Sequence, residues 1–589
     1  MKTITGIAAS RGIAIGPALK YQKAALEIPA AAVEDPEEEI ARLNGAIQAV
    51  QEQLQKAHQE ALEKIGPEEA AIFEAHALIL EDPELLGAVE KEIRDQRTAA
   101  EAALKSRSEV YAGQLEALDN EYFQERAADV RDVIDRTLRV LLGQVEPEGA
   151  LLQEPAVIVA DDLTPSDTIQ LDKTLVLGFC TAQGGSTSHS AILARGLGIP
   201  AVVGAGEQVL QIPDQAELVV DGTRGEILVN APDEIKKDYQ IRRRKLDQAF
   251  QQARLESRQP AVTLDDHRVE IAANIGDITD LEQALENGAE GVGLLRTEFV
   301  YLGKSALPDE DQQTEIYRRI TAGFGSRPVI LRTLDIGGDK ELPYLQLPRE
   351  VNPFLGVRAI RLSFQNLPVF KTQLRAALRA GVEGHLKIMF PMISSVQEIR
   401  KAKAVLADCR EELKEEGLPA AEHLSVGIMI EIPSAALLVD QLVKEVDFFS
   451  IGTNDLSQYT YAADRINKQV SRLASGYQPA VLRLIAQVIE TAHQHQKWVG
   501  CCGELAGKPL AIPILVGLGI DELSMNPPAI PFAKQLIRSL NYQELQQTAR
   551  SALDQIGPAQ VRELIWDQVP EVRSYLDKKP EPSVQKRSA

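Results

Sequence analysis

Cysteines, tryptophans and long apolar runs are scarce in this chain of 589 residues, which has four cysteines and two tryptophans. Cys501 and Cys502 are adjacent, which makes them poor partners for one disulfide, and no cysteine or histidine spacing is typical of a zinc site. Reduced thiols, and with them a cytoplasmic location, are therefore expected. No apolar run has the length of a membrane span, and residues 1–6 open no signal peptide, so we predict no membrane insertion.

Basic residues are also in deficit. The 63 Lys and Arg residues are outnumbered by 86 Asp and Glu residues, and the formal net charge is −23. A chain this acidic is not expected to bind nucleic acid, and its docking partner should carry positive charge. An anionic substrate would need a local cluster of arginines. The length predicts a soluble protein of about three or four domains.

The first part of the chain combines strand-like and helix-like patterns. Residues 2–20 predict two short strands around a glycine turn, and strand-like runs return after residue 144. From about 35 to 143, apolar residues recur every three or four positions, as on one face of a helix. We therefore predict a β/α domain of residues 1–34 and 144–230, interrupted by an inserted helical bundle of residues 35–143. The strands predicted after the bundle are residues 156–160, 174–179, 201–204 and 217–221.

One loop of the β/α domain carries the main chemical signal. Residues 184–195 read Gly-Gly-Ser-Thr-Ser-His-Ser-Ala-Ile-Leu-Ala-Arg and follow an apolar, strand-like run. His189 therefore stands where a loop becomes a helix, and free N–H groups at such a place favour a negative group. A histidine that carries a phosphoryl group would suit this setting. From the shape of the motif alone, a capping serine beside an incidental histidine stays an equal alternative.

The second half of the chain has a regular rhythm. A charged segment of residues 231–260 predicts a linker helix, and from residue 261 to about 575 apolar strand-like runs alternate with helix-length stretches. Eight such units favour a closed (β/α)₈ barrel over an open doubly wound sheet. Residues 576–589 are predicted to be a flexible tail. The eight predicted strands are residues 269–275, 291–295, 328–331, 386–390, 425–430, 447–451, 498–500 and 522–525.

Polar side chains follow these predicted strands, and active sites of such barrels lie at the carboxyl ends of the strands. Arginines there offer planar forks for phosphate and carboxylate oxygens, and Glu431 and Asp455 are hard oxygen ligands of the kind that hold Mg²⁺. Each residue alone has a structural alternative, such as a salt bridge or a buried, paired carboxylate. The candidate residues at this end are Asn274, Arg296, Arg332, Asp335, Arg358, Glu431, Asn454, Asp455, Arg465 and Cys502.

Several motifs resemble those of enzymes that use phosphoenolpyruvate. One is the segment of residues 184–195, which continues through Gly-Ile-Pro-Ala-Val-Val-Gly at 198–204. The others lie in the predicted barrel: Gly-Val-Gly-Leu-Leu-Arg-Thr-Glu-Phe at 291–299, Arg-Thr-Leu-Asp-Ile-Gly-Gly-Asp-Lys at 332–340, Gly-Thr-Asn-Asp-Leu at 452–456 and Cys-Gly-Glu-Leu-Ala at 502–506. The order of domains, with a helical insert and no ATP-binding region ahead of the histidine, looks like enzyme I of the sugar phosphotransferase system.

The resemblance implies a swivelling phosphohistidine domain, a bundle that binds the carrier protein HPr, and a barrel that binds phosphoenolpyruvate. The implied reaction is phosphoryl transfer from phosphoenolpyruvate to His189 and on to a histidine of HPr, with Mg²⁺ as cofactor. It further implies that Cys502 is a general acid, that Thr168 orients His189, and that the barrel forms a homodimer. The alternatives are an enzyme like pyruvate phosphate dikinase or phosphoenolpyruvate synthase, and a non-catalytic regulatory homologue.

Overall fold

The structure, a computed structural model, divides into two compact units, Met1–Gln248 and Ala249–Ala589. His189 and Thr168 lie outside the residues that it describes. The residues described are 1–21, 26, 28, 33–64, 73, 76–116, 121–144, 152, 154–164, 174–185, 188, 190–191, 194, 198–276, 278–301, 306–337, 350–382, 384–465, 467 and 469–576.

The first unit contains an eight-stranded mixed sheet in the order β1-β8-β7-β3-β4-β5-β6-β2. Neighbouring strands from β3 through β6 are parallel, and the other pairs are antiparallel. Fully apolar strands such as β4 and β6 are buried throughout, as expected for strands covered on both faces. The strands are β1 Lys2–Thr5, β2 Ile7–Ser10, β3 Ile13–Lys20, β4 Ala156–Ala160, β5 Val176–Thr181, β6 Ala201–Val203, β7 Glu217–Asp221 and β8 Glu226–Val229.

The prediction of two strands in residues 2–20 was wrong, because the structure has three. Gly6 separates β1 from β2, and a side chain there would come within 2.7 Å of the Val203 carbonyl oxygen. Gly12 then takes a φ of +122°, which glycine adopts without strain, between β2 and β3. These two breaks allow β1 to pair with β8 while β2 pairs with β6 at the opposite edge.

The helical insert packs its predicted apolar face inward. Leu43, Val50 and Leu54 on the first helix are almost fully buried, and Ala127 and Val130 on the last helix join the same core. This is the periodicity of three and four residues that the sequence showed. The long helices in the described part of this insert are α1 Pro36–Lys64, α2 Pro83–Gln96, α3 Ala100–Glu116 and α4 Glu121–Leu141.

Helix α5, Asp233–Glu256, leads into the second unit, whose sheet closes into a barrel. Eight parallel strands, β10 to β17, pair in sequence order, and β17 pairs back with β10 to complete the ring. The short β9 pairs with β10 in the antiparallel sense. The fold class predicted from the sequence is therefore confirmed. The strands are β9 Ala261–Val262, β10 Arg268–Ile275, β11 Val292–Arg296, β12 Val329–Arg332, β13 Leu386–Phe390, β14 Ser425–Ile430, β15 Phe448–Ile451, β16 Trp498–Cys501 and β17 Glu522–Met525.

The main core of the second unit contains apolar residues of both the strands and the helices. The barrel interior holds a separate set of buried side chains, including Ile330, Met389, Met429 and Phe448. The helices are α6 Thr279–Glu286, α7 Glu298–Tyr301, α8 Glu310–Phe324, α9 Ile360–Gln365, α10 Leu367–Ala380, α11 Val396–Glu415, α12 Pro433–Leu437, α13 Val439–Leu442, α14 Thr453–Tyr461, α15 Pro479–Gln494, α16 Ile512–Gly517, α17 Ile530–Arg538, α18 Tyr542–Leu553 and α19 Pro558–Gln568.

Short 3₁₀ turns complete this unit, at Pro353–Leu355, Ser471–Leu473, Glu504–Gly507, Pro527–Ala529 and Pro570–Tyr575. In the part of the chain that the structure describes, no helix is long and apolar enough to cross a membrane. The predicted domain limits, including the tail of residues 576–589, stay predictions.

Candidate active site

The carboxyl ends of the barrel strands bring the predicted polar residues to one mouth. Arg296 is the last residue of β11 and Arg332 is the last residue of β12. Glu431 directly follows β14, and Cys502 directly follows β16. Because all eight strands are parallel, these positions share one end of the barrel, where such enzymes have their active sites.

Arg332 is held by two carboxylates. Its Nη2 donates to Glu298 Oε1 at 2.6 Å, and its Nη1 lies 3.1 Å from Asp335 Oδ2. The same Glu298 oxygen accepts from the backbone N–H of Asp335 at 3.1 Å. All three residues are buried, so the ion pairs act in a low dielectric and fix the guanidinium in one orientation.

Arg358 connects two strand ends. Its Nη2 donates to Asp335 Oδ1 at 3.0 Å and lies 3.4 Å from Asp455 Oδ2. Asp455 is in the first turn of α14, after β15, whereas Asp335 follows β12. The Arg358 side chain is 5% exposed, so this bridge between distant segments is a fixed part of the mouth.

Arg465 lies beside Arg358, and the ring of Phe354 contacts both arginines. The Phe354 ring lies 5.8 Å from the guanidinium carbon of Arg358 and 5.9 Å from that of Arg465. Tyr459 donates its hydroxyl to the Phe354 carbonyl oxygen at 2.6 Å. Arg465 Nη1 lies 3.4 Å from Asp455 Oδ1, so the two Asp455 oxygens face different arginines.

Glu431 is buried, and both carboxylates and arginines of the mouth act on its charge. Its Oε1 accepts from the backbone N–H of Met392 at 2.6 Å. Burial, followed by the charges of Asp455 and Asp335, raises the pKa of the Glu431 carboxyl to about 8. Strongly shifted pKa values of this kind are common at functional sites. A cation bound beside Glu431 would lower its pKa again, because it favours the ionised carboxylate.

Glu431 and Asp455 carry carboxylate oxygens, which are ligands that Mg²⁺ prefers. A side chain at Gly452 would come within 2.9 Å of Glu431 Oε2, so the glycine leaves this oxygen facing the start of α14, which carries Asp455. Among the described residues, no three His, Cys, Asp or Glu side chains are grouped to hold a metal by themselves. Mg²⁺ commonly binds one or two carboxylates and takes its other ligands from substrate and water.

Cys502 has its thiol at the top of the barrel interior. It is 4% exposed and packs in the cluster that contains Met389 and Met429. Burial raises the pKa of the Cys502 thiol to about 11, and the Ser450 hydroxyl and Arg332 oppose that rise. The thiol is therefore protonated at neutral pH, as a general acid must be before it acts.

Among the other predicted residues, Asn274 on β10 is buried and donates from Nδ2 to the Cys502 carbonyl oxygen at 3.0 Å. Asn454 Nδ2 lies 3.4 Å from Glu504 Oε1, and Arg296 is half-buried at the end of β11. Beside the histidine motif, the buried Ser190 hydroxyl donates to Asp162 Oδ1 at 3.1 Å and lies 3.1 Å from the Ser188 hydroxyl. The flanks of this motif thus carry hydroxyl groups.

Two residues of the mouth, Phe354 and Tyr459, were not selected from the sequence. Phe354 is four positions before Arg358 but far along the chain from Arg465, which it also contacts. Tyr459 had a readable signal, because it is four positions after Asp455 and residues with that spacing share a helix face.

Family models match most of the chain. The model described as "PEP-utilising enzyme, PEP-binding domain" matches residues 251–542. Those described as "PEP-utilising enzyme, N-terminal" and "PEP-utilising enzyme, mobile domain" match residues 5–126 and 152–225. The charged mouth thus lies in the segment that matches a phosphoenolpyruvate-binding domain, and residue 189 lies in the segment that matches the mobile domain.

Curated relatives point to one branch of this group. The chain is 50% identical over 560 residues to the phosphoenolpyruvate-protein phosphotransferase of Geobacillus stearothermophilus, covering 95% of this chain and 96% of the relative. It is 49% identical over 545 residues to the protein of that name from Bacillus subtilis (strain 168), covering 92% and 95%. With the protein of that name from Staphylococcus carnosus (strain TM300) it shares 48% over 564 residues, covering 96% and 98%. The chain therefore belongs to the PEP-utilising enzymes, in the family of phosphoenolpyruvate-protein phosphotransferases.

Proposed function

We propose that this enzyme transfers the phosphoryl group of phosphoenolpyruvate to His189 and then to a histidine of the carrier protein HPr. The observation that carries the proposal is the barrel mouth, where Arg332 and Arg358 are fixed by carboxylates beside the protonated thiol of Cys502. Buried arginines bind a small dianion, and a thiol protonates a carbon leaving group. A docking protein needs neither.

The substrate would bind through its phosphate and carboxylate. Arg332 and Arg358 present planar guanidinium groups whose orientation is set before the substrate arrives, so little entropy is lost on binding. Arg296, Arg465 and Asn454 are proposed to complete the contacts from the rim. Because Glu298 and Asp335 partly balance the arginine charges, the mouth is not strongly cationic.

Glu431 and Asp455 are proposed to hold Mg²⁺. When bound there, the ion would offset negative charge on the phosphate and enolate oxygens. The chain's own contribution is the placement of the two carboxylates, one fixed by the Met392 N–H and the other by Arg358 and Arg465. In this role both carboxylates are ionised, which is the state that a cation favours over the protonated one.

The chemical step is proposed to be an in-line attack of the His189 ring nitrogen on phosphorus. The P–O bond to enolpyruvate breaks, and Arg332 and Arg358 stabilise the charge on the transferring group. Cys502 then gives its proton to the methylene carbon, which forms pyruvate. Thr168 is proposed to hydrogen-bond the histidine ring and set its orientation.

The second transfer passes the group from His189 to the carrier. One histidine has to meet both phosphoenolpyruvate and HPr, so the phosphohistidine domain is proposed to swivel between the barrel and the helical bundle. A cytoplasmic location and a homodimer through the barrel stay predictions.

Labelled phosphoenolpyruvate tests the proposal directly. The enzyme, incubated with Mg²⁺ and phosphoenolpyruvate that carries ³²P, is expected to take up acid-labile, base-stable label at His189, found by peptide mapping. His189→Ala should take up none while it still binds phosphoenolpyruvate in calorimetry. Label that persists on this variant, or an unlabelled wild-type enzyme, would reject the assignment.

A further inference from the structure

Asn274 and Ser524 form a hydrogen-bonded pair inside the barrel, next to Cys502. Ser524 Oγ donates to Asn274 Oδ1 at 2.6 Å, and Asn274 Nδ2 donates to the Cys502 carbonyl oxygen at 3.0 Å. Asn274 is 8% exposed and Ser524 is 0% exposed. Because the serine hydroxyl donates to Oδ1, the donor end of the amide faces the carbonyl group. Two hydrogen bonds therefore connect β17, through β10, to the backbone at the end of β16.

A glycine and a β-bulge make room for this pair. The pairing of β10 with β11 slips by one position between Ala273 and Asn274, so Gly293 is an extra residue in β11. Bulges are common next to active sites, where they re-aim a side chain. A side chain at Gly293 would also come within 2.5 Å of the Ser524 hydroxyl oxygen. The irregular backbone thus allows Ser524 to reach Asn274.

Cys502 is held through its backbone on both sides. Its N–H donates to the Ile451 carbonyl oxygen at 3.1 Å, and its own carbonyl oxygen accepts from Asn274. The ladder between β16 and β17 ends one residue earlier, where Cys501 is in register with Leu523. The Asn274 amide therefore continues the hydrogen bonding of this chain segment beyond the end of the ladder.

The two backbone contacts fix the direction of the thiol. With both peptide groups of Cys502 held, the Cα–Cβ bond is fixed, and the sulfur can move only by rotation about that bond. The thiol itself contacts the Ile451 carbonyl oxygen, with Sγ 3.9 Å away. An acid that protonates carbon has to meet the substrate in one geometry, so a small change in this direction slows the reaction.

We propose that Asn274, held by Ser524, is a positioning residue that aims the Cys502 thiol at the methylene carbon of enolpyruvate. The inference rests on the proposed role of Cys502 as the acid that protonates this carbon. In that step the S–H bond breaks, the C–H bond of pyruvate forms, and the thiolate regains a proton from solvent. Asn274 gives no proton and acts only through the Cys502 carbonyl oxygen.

Asn274→Ala is expected to lower kcat about tenfold or more, while KM for phosphoenolpyruvate changes less than about threefold. The thiol is misplaced in this variant, but the arginines that bind the substrate are unchanged. Turnover is measured with excess HPr, and the pyruvate formed is reduced by lactate dehydrogenase. Ser524→Ala removes the contact that holds the amide and should lower kcat less. Asn526→Ala is the matched control, since Asn526 is an exposed asparagine directly after β17 and should change kcat less than about twofold.

A double-mutant cycle with Cys502→Ala tests whether Asn274 acts through the thiol. Cys502→Ala should turn over slowly, with solvent as the proton source, and the addition of Asn274→Ala should lower kcat less than about twofold further. Independent effects would multiply instead. Phosphate exchange with phosphorylated HPr, which is proposed to need no barrel residue, checks that the histidine domain of each variant is intact.

Asn274→Asp keeps the shape of the side chain and tests the donor itself. A protonated carboxyl group can donate to the Cys502 carbonyl oxygen, whereas an ionised one cannot. The ratio of the kcat of this variant to that of the wild type should therefore fall as the pH rises, a trend that Asn274→Ala should not show. Because aspartate matches asparagine in shape, this variant also provides the test if alanine prevents folding.

Three results would overturn the positioning role: a kcat of Asn274→Ala within about twofold of the wild type, a loss of kcat/KM that comes from KM, or multiplied effects in the double mutant. The second would mean that Asn274 binds the substrate, and the third that it does not act through Cys502. None of them rejects the proposed function, which fails only if the wild-type enzyme takes no phosphoryl group from phosphoenolpyruvate at His189.

Discussion

At the scale of single residues, Arg358 does what a lysine could not. Its guanidinium contacts both oxygens of Asp335 and one oxygen of Asp455 from a buried position. A lysine has a single ammonium centre and would leave at least one buried carboxylate without its cation. The shape of the mouth therefore depends on the planar fork as well as on the charge.

Arg358→Lys is expected to lower kcat/KM for phosphoenolpyruvate about a hundredfold, because it removes a bidentate contact and leaves a carboxylate uncompensated. Steady-state assays with HPr would measure this. Arg361→Lys is the control, since Arg361 donates to the carbonyl oxygens of Leu355 and Gly356 and pairs with no carboxylate among the described residues. It should change kcat/KM less than about threefold. An equal loss in both variants would contradict the role of Arg358.

Glu431→Gln is expected to raise the Mg²⁺ concentration needed for half-maximal activity at least about tenfold. The amide keeps the contact with the Met392 N–H region but loses the charge that a divalent cation needs. Activity is measured as a function of Mg²⁺ concentration. An unchanged Mg²⁺ dependence with full activity is incompatible with the proposed metal site.

His493 makes the stability of the second unit depend on pH. Its Nε2 lies 2.8 Å from Asp521 Oδ2, and the hydrogen bond to Asp521 raises the pKa of His493. The charged histidine therefore stabilises the fold fully below its unfolded pKa of about 6.5, and the effect is lost as the pH rises through the folded pKa. His493→Gln should lower Tm by about 1–2 °C at about pH 5.5, because both side chains are partly exposed, and by less at about pH 8.5.

The control for this effect is His495→Gln. His495 Nδ1 contacts only the Thr491 carbonyl oxygen in the pairs described, at 3.0 Å. Its replacement should change Tm equally at the two pH values. A decrease for His493→Gln that is the same at both pH values would rule out the pair with Asp521 as its cause.

At the scale of elements, helix α11 illustrates how local sequence fixes a barrel helix. Ser395 accepts from the Glu398 N–H, and Glu398 Oε2 accepts from the Ser395 N–H at 3.0 Å, which together form a capping box. The helix then buries Ile399, Ala402 and Leu406 against the barrel core. Its start is thus set by two residues and its position by the apolar face.

Ser395→Ala is expected to destabilise the second unit by about 1 kcal/mol, while Ser395→Thr should keep most of the cap. Both tryptophans of the chain, Trp498 and Trp566, lie in this unit, so urea unfolding followed by tryptophan fluorescence reports on it alone. If alanine and threonine shift the urea midpoint equally, the hydroxyl is not the source of the stability.

At the scale of the whole molecule, the division into two units falls within helix α5, which spans Asp233–Glu256. The first unit has its own sheet and bundle cores, and the second has a closed barrel. Each part therefore has the buried surface that an independent domain needs.

A fragment of residues 1–259 is expected to fold and to exchange phosphate with phosphorylated HPr through His189, without reacting with phosphoenolpyruvate. A fragment from residue 261 onward should bind phosphoenolpyruvate with Mg²⁺ and transfer nothing. Calorimetry with HPr, comparing the first fragment with and without residues 35–143, tests the bundle as the docking site. If the shortened fragment stays folded and binds HPr as tightly, the bundle is not where HPr docks.

The sequence by itself determined the architecture and most of the charged residues of the mouth. Periodicity placed β14 at residues 425–430 and β17 at residues 522–525, the limits that the structure has. The regular alternation of strands and helices predicted the strand order. Closure of the barrel then placed the carboxyl ends of all its strands at one mouth. Local patterns are sufficient here because strands buried on both faces are continuous apolar runs.

Only the tertiary structure decided which of these residues act on one another. The pairing of Arg358 with Asp335 and Asp455 depends on the register between strands that are far apart in sequence. The register is set by the packing of the whole barrel, and the local hydrophobic pattern of the sequence does not specify it. The burial that raises the pKa values of Glu431 and Cys502 likewise arises only when the barrel closes around them, since burial is a property of the surroundings and not of the residue.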